Sequence, residues 1–290
     1  MASRTFCLAR RNFDTCISLK SSRLPRTWFP GSQAYRQATT AVHSLKHPVQ
    51  DIIHTLPSST PRKSLVNFTS AEGKRLFRGA MDQGRAESFF KLMGNFSAQS
   101  SPAKAGMTSL AMSLNALEID PKRIWKGNWR WFSGDQMQTC SPKEAISQHG
   151  IPFDEFRCLA QAHCDVDARR ASSAGYRQFL SDLQYVTSNP NSQMVINYSR
   201  SRLGQPGESH FSPIGGYNAT EGMALIMDVA RDQYPSVWVD TRTLYEAMLD
   251  KESIGLSRGY FILRPGSVSH LLRCQTCTRR ACSNRAVQSQ

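Results

Sequence analysis

The spacing of apolar residues in the first part of the folded region predicts helices. Ser70 is a suitable N-cap for a helix over residues 71–83, and a second helical segment covers about 86–94. Residues 106–117, GMTSLAMSLNAL, are small and apolar on nearly every side, which is typical of a helix that is buried all round. Another helix fits residues 174–186. The pattern predicts a helical first half built around one buried central helix.

From residue 193 the period of the hydrophobic positions changes to that of strands. Short segments rich in β-branched and aromatic residues are separated by turn residues: QMVINYSR, SHFSPIGGYNA, MALIMDVAR and GYFILRP. They are predicted to form consecutive antiparallel strands. Helices followed by strands predict an α+β fold, with a helical lobe over 54 to about 190 that faces a sheet lobe to about 265 across a cleft.

The chain has 290 residues, of which 40% are hydrophobic, and this is enough for one sizeable core. The Pro- and Ser-rich segment LPSSTPRKS, residues 56–64, marks the entry into the folded part. In the helical half, Ser141, Pro142 and Glu144 indicate the start of a further helix. We expect one domain over residues 51–265 and a basic, Cys-containing tail over 266–290.

The formal net charge of +14 lies mostly near the two ends of the sequence. Residues 1–50 carry eight Lys or Arg against one acid, and residues 265–290 carry four Arg and no acid. Only +3 is left for residues 51–264, without a basic stripe, which argues against a nucleic-acid partner. No stretch approaches the roughly 18 apolar residues that a membrane span needs, so no membrane span is predicted.

Residues 1–50 are rich in Arg, Ser and Thr and nearly free of acid, which predicts an organelle transit peptide, mitochondrial rather than plastid. A disordered basic tail on a cytoplasmic protein is the alternative. The eight cysteines are too sparse and irregular for a disulfide scaffold, so reduced thiols in an intracellular compartment are expected.

Two residues in the strand-rich half suggest nucleophilic catalysis. His210 lies in ESHFSPIGGYN, and Asp228 lies in ALIMDVAR eighteen residues later. If the two segments form a hairpin, the side chains can meet across it. A His held by an Asp is a base and its orienting group, which act on a thiol or hydroxyl at a helix N-terminus of the opposite lobe. Alternatively, the His is satisfied by a strand neighbour and the Asp simply ends a strand.

The amino-acid sequences of several segments also show a resemblance to a known family. FTSAEGKRLFRGAM, ESFFKLMGNF, AQSSPAKAGMTSLAMSLNALEIDPKRIWKGNWRWF, SHFSPIGGYNA and MALIMDVARDQYPSVWV closely resemble the catalytic domain of phytochelatin synthases. The resemblance runs in the same order from about Leu56 to Pro265. It implies a papain-like fold, a helical lobe against an antiparallel sheet, and the activity of a glutathione γ-glutamylcysteinyltransferase in heavy-metal detoxification.

The resemblance also implies roles for individual residues. In this family a Cys thiolate attacks the γ-glutamylcysteine carbonyl of glutathione, glycine leaves, and a second glutathione or a growing phytochelatin takes the acyl group. His210 matches the family's base, Asp228 its orienting carboxylate, and Gln99 the amide that stabilises the oxyanion. Arg231 and Tyr234 match positions beside the substrate cleft.

At the nucleophile the sequence departs from the family pattern Pro-Ala-Tyr-Cys-Gly, because it has Lys104 and Ala105 in place of Tyr and Cys. A methyl group cannot attack a carbonyl, and loss of one member of such a catalytic unit costs about 10⁴ to 10⁶ in rate. We therefore expect no phytochelatin synthesis. The alternative function is a non-catalytic glutathione-binding, metal-binding or regulatory pseudoenzyme. Ala105 is a natural loss or an engineered change, and the additional Lys104 favours natural loss.

A metal ion is expected in two places: bound to the thiol of the substrate, and at one cysteine-containing segment of the chain. Phytochelatin synthases act on metal-thiolate forms of glutathione, so the expected ligands are glutathione and its Cd²⁺ or Zn²⁺ complex, with no organic cofactor. CLAQAHC, with Cys158, His163 and Cys164, resembles the family's CLAHC segment with two extra residues. Soft ligands of this kind suit Cd²⁺, Zn²⁺ or Cu⁺. Buried thiols and one exposed His are the alternative, and a homodimer is left open.

Overall fold

The computed structural model describes residues 65–121, 131–135, 137, 146 and 150–266. All of them lie in the second of the two units into which the chain divides, Leu56–Gln290. The predicted transit peptide, the linker, the helix predicted to begin at Ser141 and the Cys-containing tail from residue 267 lie outside the described residues.

The helices predicted over 71–83, 86–94, 106–117 and 174–186 are confirmed, whereas those over Phe153–Gln161 and Thr241–Leu249 were not predicted. Ser70 caps α1 as predicted, because its side-chain oxygen accepts a hydrogen bond from the backbone N–H of Gly73 at 3.0 Å. A 3₁₀ turn, Pro102–Lys104, leads directly into α3. The helices are α1 Ala71–Asp82, α2 Glu87–Gly94, α3 Ala105–Ala116, α4 Phe153–Gln161, α5 Ala171–Thr187 and α6 Thr241–Leu249.

The described strands form one sheet, in which every pair of neighbours is antiparallel. They are β1 Val66–Asn67, β2 Asp165–Arg170, β3 Gln193–Ser199, β4 Ser209–Asn218, β5 Met223–Ile226, β6 Val237–Asp240 and β7 Gly259–Arg264. Their order across the sheet is β1-β6-β5-β4-β3-β7-β2. The predicted α+β, papain-like class, helices packed against an antiparallel sheet, is confirmed.

The two edge strands come from the predicted helical lobe, 54 to about 190, where the hydrophobic pattern predicts no strand. β1 is only two residues long. β2 has the polar sequence DVDARR, and all six of its residues are half-buried. A strand without alternation between buried and exposed positions leaves no period in its sequence, so only its pairing with β7 reveals it.

Two apolar clusters fill the interior, one on each face of the sheet. Alternate residues of β3 divide between them, because Val195 joins one cluster whereas Met194 and Ile196 join the other. The first cluster takes in apolar residues of α1, α2, α3 and α4, and the second takes in those of α5 and α6. Helices therefore cover the sheet on both faces. No helix among the described residues is both long and apolar enough to cross a membrane.

The central helix α3 has the surroundings that its composition predicts. All of its residues except Asn115 are buried. Ser109 ties it to the sheet, because its hydroxyl donates a 3.0 Å hydrogen bond to the carbonyl of Phe211 on β4. On the outer side, the segment 131–135 runs along the helix. Asn115 donates to the carbonyl of Phe132 and accepts from its backbone N–H, at 3.0 and 2.9 Å.

Candidate active site

Ala105 is the first residue of α3 and is 4% exposed. The 3₁₀ turn before it directs the chain into the helix, so that Ala105 sits where the first backbone N–H groups of α3 are unpaired. A helix N-terminus carries partial positive charge, which stabilises an anion such as a thiolate or a developing oxyanion. The position is therefore suited to a nucleophile, but its side chain is a methyl group.

His210 and Asp228 meet as the hairpin hypothesis requires. His210 lies near the start of β4, and Asp228 follows the neighbouring strand β5 by two residues. The ring Nε2 of His210 lies 2.9 Å from Oδ1 of Asp228. Both residues are buried, with exposed fractions of 3% and 1%. Since Nε2 is bound to the carboxylate, Nδ1 is the ring nitrogen that remains for proton transfer.

The Asp228 carboxylate is held by more than His210. Its Oδ1 also accepts hydrogen bonds from Nη2 of Arg200 and from the backbone N–H of Ala230, each at 2.9 Å. Burial by itself raises the pKa of Asp228, but the hydrogen bonds and charges of His210 and Arg200 outweigh it and keep the pKa below its ordinary value. Asp228 is therefore an anion when His210 is neutral.

The ring of His210 is poised as a neutral base. Burial lowers its pKa below the ordinary value of 6.5, the carboxylate of Asp228 opposes this, and the nearby cation of Arg200 lowers the pKa further. The fully buried ring of Tyr198, on the adjacent strand β3, contacts His210 edge-on with ring centres 5.8 Å apart. Imidazole in its uncharged form can accept a proton, which a general base must do.

Sequence reasoning missed Arg200. It follows β3 directly and is 4% exposed. Besides Asp228, it donates through Nη1 to Oε1 of Gln205 at 2.6 Å, and its guanidinium lies 4.2 Å from the ring centre of Tyr234. Nothing in the segment QMVINYSR distinguishes a buried arginine from an exposed one, since the distinction depends on a carboxylate 28 residues away.

Gln99 is tied to the loop that carries Asp228. Its backbone N–H donates to the carbonyl of Val229 at 2.8 Å. Its side-chain Oε1 is buried and has no hydrogen-bond partner among the described residues. This backbone hydrogen bond thus connects the segment of the predicted oxyanion amide, Gln99, to that of the predicted orienting carboxylate, Asp228. The two segments lie far apart in the sequence.

The start of α3 packs against β4 one residue away from His210. A Cβ placed on Gly106 would lie 3.3 Å from the ring of Phe211 and 2.7 Å from the side chain of Ile151. A side chain at this position would require the Ile151 and Phe211 side chains to shift. The start of α3 therefore lies close to β4, the strand that carries His210.

The two residues predicted to bind substrate have different surroundings. Arg231 is exposed. Tyr234 is half-buried, its ring lies under the guanidinium of Arg200, and its hydroxyl donates a long hydrogen bond of 3.4 Å to the carbonyl of Pro206. Both follow Asp228 closely in the sequence, and Tyr234 contacts Arg200, which in turn donates to Asp228.

Lys104, which replaces the family's Tyr, is paired at the surface. Its ammonium contacts Oδ1 of Asp135 at 2.5 Å, and the hydroxyl of Ser100 donates to the same oxygen at 2.7 Å. The hydrogen bond from Lys104, followed by that from Ser100, holds the pKa of Asp135 below its usual value. This arrangement links the start of α3 to the segment 131–135.

The predicted metal ligands do not form a cluster of the kind that holds a metal. Cys158 lies in α4, and Cys164 is buried just beyond it with its thiol donating to the carbonyl of Ala160 at 3.4 Å. The ring of His163 packs edge-on against Phe132. Within the described ranges, no three His, Cys, Asp or Glu side chains are grouped closely enough to hold a metal ion. The metal set remains a prediction from the resemblance.

Comparisons with known proteins show the family of the chain. The sequence model of the phytochelatin synthase family matches residues 57–260. The chain is 44% identical over 225 residues to glutathione gamma-glutamylcysteinyltransferase 1 of Arabidopsis thaliana, a match of 76% of this chain and 46% of that protein. It is 43% identical over 222 residues to glutathione gamma-glutamylcysteinyltransferase 1 of Triticum aestivum, covering 75% and 44% of the two chains.

A third relative has a lower identity to the chain. Glutathione gamma-glutamylcysteinyltransferase of Schizosaccharomyces pombe is 37% identical over 206 residues, which are 70% of this chain and 50% of that protein. The chain thus spans about half the length of the curated relatives it matches. Because the family model covers most of the sequence, the chain belongs to the phytochelatin synthase family.

Proposed function

We propose that this domain binds glutathione in a γ-glutamylcysteinyltransferase site but does not form the acyl-enzyme, because Ala105 stands at the nucleophile position. The buried His210–Asp228 pair, at 2.9 Å, is the observation that supports a catalytic ancestry. Ala105, with only a methyl group at the start of α3, supports the loss of the nucleophile.

Each remaining group keeps a function in binding. The amide of Gln99 and the first backbone N–H groups of α3 can donate to the carbonyl oxygen of the γ-glutamylcysteine unit. The exposed guanidinium of Arg231 can bind one of the two carboxylates of glutathione. The substrate class is glutathione with its thiol bound to Cd²⁺ or Zn²⁺, which places the domain in heavy-metal detoxification, and the basic residues 1–50 would direct it to mitochondria.

A second function, slow hydrolysis, is favoured by the protonation state of the base. Burial lowers the pKa of His210, so the ring is uncharged at neutral pH and could take a proton from water. The water oxygen would then add to the carbonyl carbon, the C–N bond would break, and glycine would leave with the proton held by His210. This reaction yields γ-glutamylcysteine and glycine.

Glycine release distinguishes binding from hydrolysis. The purified chain is incubated with glutathione, with and without Cd²⁺, glycine is quantified, and binding is measured by calorimetry. We expect binding without turnover. Turnover that disappears in His210→Ala would establish hydrolysis instead, and absence of binding in a folded protein would refute the proposed function.

Restoring the nucleophile tests the rest of the site. Ala105→Cys, alone and with Lys104→Tyr, is expected to release glycine and form γ-glutamylcysteine polymers at least about 10⁴ times faster than the parent, since a thiol is the missing member of the unit. Ala111→Cys is the matched control, because it adds a buried thiol to the same helix away from its start. A folded Ala105→Cys protein that is no more active than this control would show that the remaining groups no longer form a site.

A further inference from the structure

Arg200 is the least expected group near His210, because a guanidinium is seldom so deeply buried. It is 4% exposed and lies at the end of β3, where the chain turns towards β4. Its backbone N–H donates to the carbonyl of Glu208 at 2.9 Å, and its own carbonyl accepts from Leu203 and Gln205 at 2.9 and 3.1 Å. The connection between the two central strands is therefore organised around this residue.

Three contacts fix the guanidinium itself. Nη1 donates to Gln205 at 2.6 Å, Nη2 donates to Oδ1 of Asp228 at 2.9 Å, and the plane of the group lies over the ring of Tyr234. The planar fork of arginine suits such a site, because its donors point in fixed directions. A side chain held from three sides can in turn fix the carboxylate that it contacts.

We propose that Arg200 is a positioning residue, which holds the Asp228 carboxylate in place and, through it, the ring of His210. Oδ1 of Asp228 accepts hydrogen bonds from both Nη2 of Arg200 and Nε2 of His210. Because that oxygen already accepts from a permanent cation and from the Ala230 N–H, the carboxylate stays ionised in the interior. An ionised Oδ1 requires a hydrogen on Nε2 of His210, so the tautomer with a free Nδ1 is selected.

The inference deepens the proposed function, since it concerns the base of the same site, but it makes a claim that needs neither substrate nor turnover. Among the residues that the structure describes, the groups found to interact with His210 are Asp228, Arg200 and the ring of Tyr198. Of these, only Arg200 is a cation, so its removal changes the charge around the imidazole in one direction.

The test is a titration of His210 by ¹⁵N NMR of its ring nitrogens in the full chain, with the signal assigned by comparison with His210→Gln. We expect the parent to be neutral at pH 7 with its hydrogen on Nε2 and to titrate below pH 6.5. Arg200→Met should raise the pKa of His210 and mix the two neutral tautomers, because the carboxylate loses its cation and one of its donors.

Two further variants keep the test decisive. Arg200→Gln, which can still donate one hydrogen bond but carries no charge, has the same expectation if Arg200→Met does not fold, whereas Arg200→Lys should restore part of the parent behaviour. Arg202→Met is the matched control, since Arg202 lies two residues away and pairs with Asp250 at the surface. A parent ring with its hydrogen on Nδ1, or neutral variants of Arg200 that titrate like Arg202→Met, would overturn the proposal.

Discussion

At the scale of single residues, two ion pairs, each between a basic side chain and an aspartate, differ in how deeply they are buried. Lys104–Asp135 lies at the surface, with side chains 35% and 53% exposed, whereas Arg200–Asp228 is 5% and 1% exposed. Exposed pairs are screened by water and contribute about 0–1 kcal/mol. Breaking a buried pair by removing one partner costs about 3–5 kcal/mol, because the other charge is left without compensation.

This contrast gives a prediction for Asp135. Asp135→Asn should lower the free energy of unfolding by less than about 1 kcal/mol, because the amide keeps the contact with Ser100 and the pair with Lys104 is exposed. Urea denaturation followed by tryptophan fluorescence measures it. Asp228→Asn, an equally small change in shape, is the comparison and should cost several times more. Equal losses would mean that the Lys104 contact is more than a surface pair.

At the scale of elements, the sequence predicts those whose burial is periodic. The predicted bounds of α1, α2 and α3 differ from the observed ones by no more than one residue at either end, because each helix has a cap or an apolar face that is visible in its own sequence. The strands β3, β4, β5 and β7 were also predicted. The inner strand β6 and the helices α4 and α6 were not predicted. The edge strands were also missed, because their pairing is set by distant partners rather than by their own alternation.

The site shows the same division. The meeting of His210 and Asp228 follows from the hairpin of β4 and β5, which local sequence predicts. The role of Gln99 in the site could be predicted only from the family resemblance, because its backbone hydrogen bond to Val229 joins segments that are 130 residues apart. Arg200 has no local signal at all, because its burial results from the packing of Gln205, Asp228 and Tyr234 around it.

The hydrogen bonds of Asn115, which connect α3 to the segment 131–135, can be tested with one isosteric substitution. Asn115→Asp replaces the amide donor that faces the Phe132 carbonyl at 3.0 Å with an acceptor. Two acceptors then oppose each other, and the free energy of unfolding should fall by about 1–3 kcal/mol. Asn189→Asp is the control, because its partner, the Tyr185 hydroxyl, can rotate and donate instead. Equal effects in both variants would show that the segment is held by other contacts.

At the scale of the whole molecule, His210 couples folding to pH. Its pKa in the folded chain lies below the ordinary 6.5, because burial disfavours the cation. Below about pH 6.5 the unfolded chain binds a proton that the folded chain refuses, so stability is complete above this pH and decreases as the pH falls. The lowered pKa of Asp228 acts in the same direction at more acidic pH, below its ordinary value of 3.8.

The measurement is the free energy of unfolding in urea at pH 7.5 and pH 5.5. We expect the parent to lose more stability between these two values than His210→Gln does, since the glutamine has no proton to bind. The variant is less stable overall, so the comparison concerns the difference between the two pH values. Parallel losses in the two proteins would show that the ring of His210 is protonated as readily in the folded chain as in the unfolded one.

Oδ1 of Asp228 makes hydrogen bonds with His210, Arg200 and the backbone N–H of Ala230. This shared acceptor affects which substitutions the sequence can accumulate during evolution. If Ala105 marks the loss of a nucleophilic sulfur, as we propose, selection for catalysis no longer acts on the imidazole or on its partners. Each of them nevertheless neutralises or satisfies another in the interior, so a substitution of any one is opposed by folding alone. The imprint of the lost reaction can therefore outlast the reaction, and an inventory of retained polar residues would count it as activity.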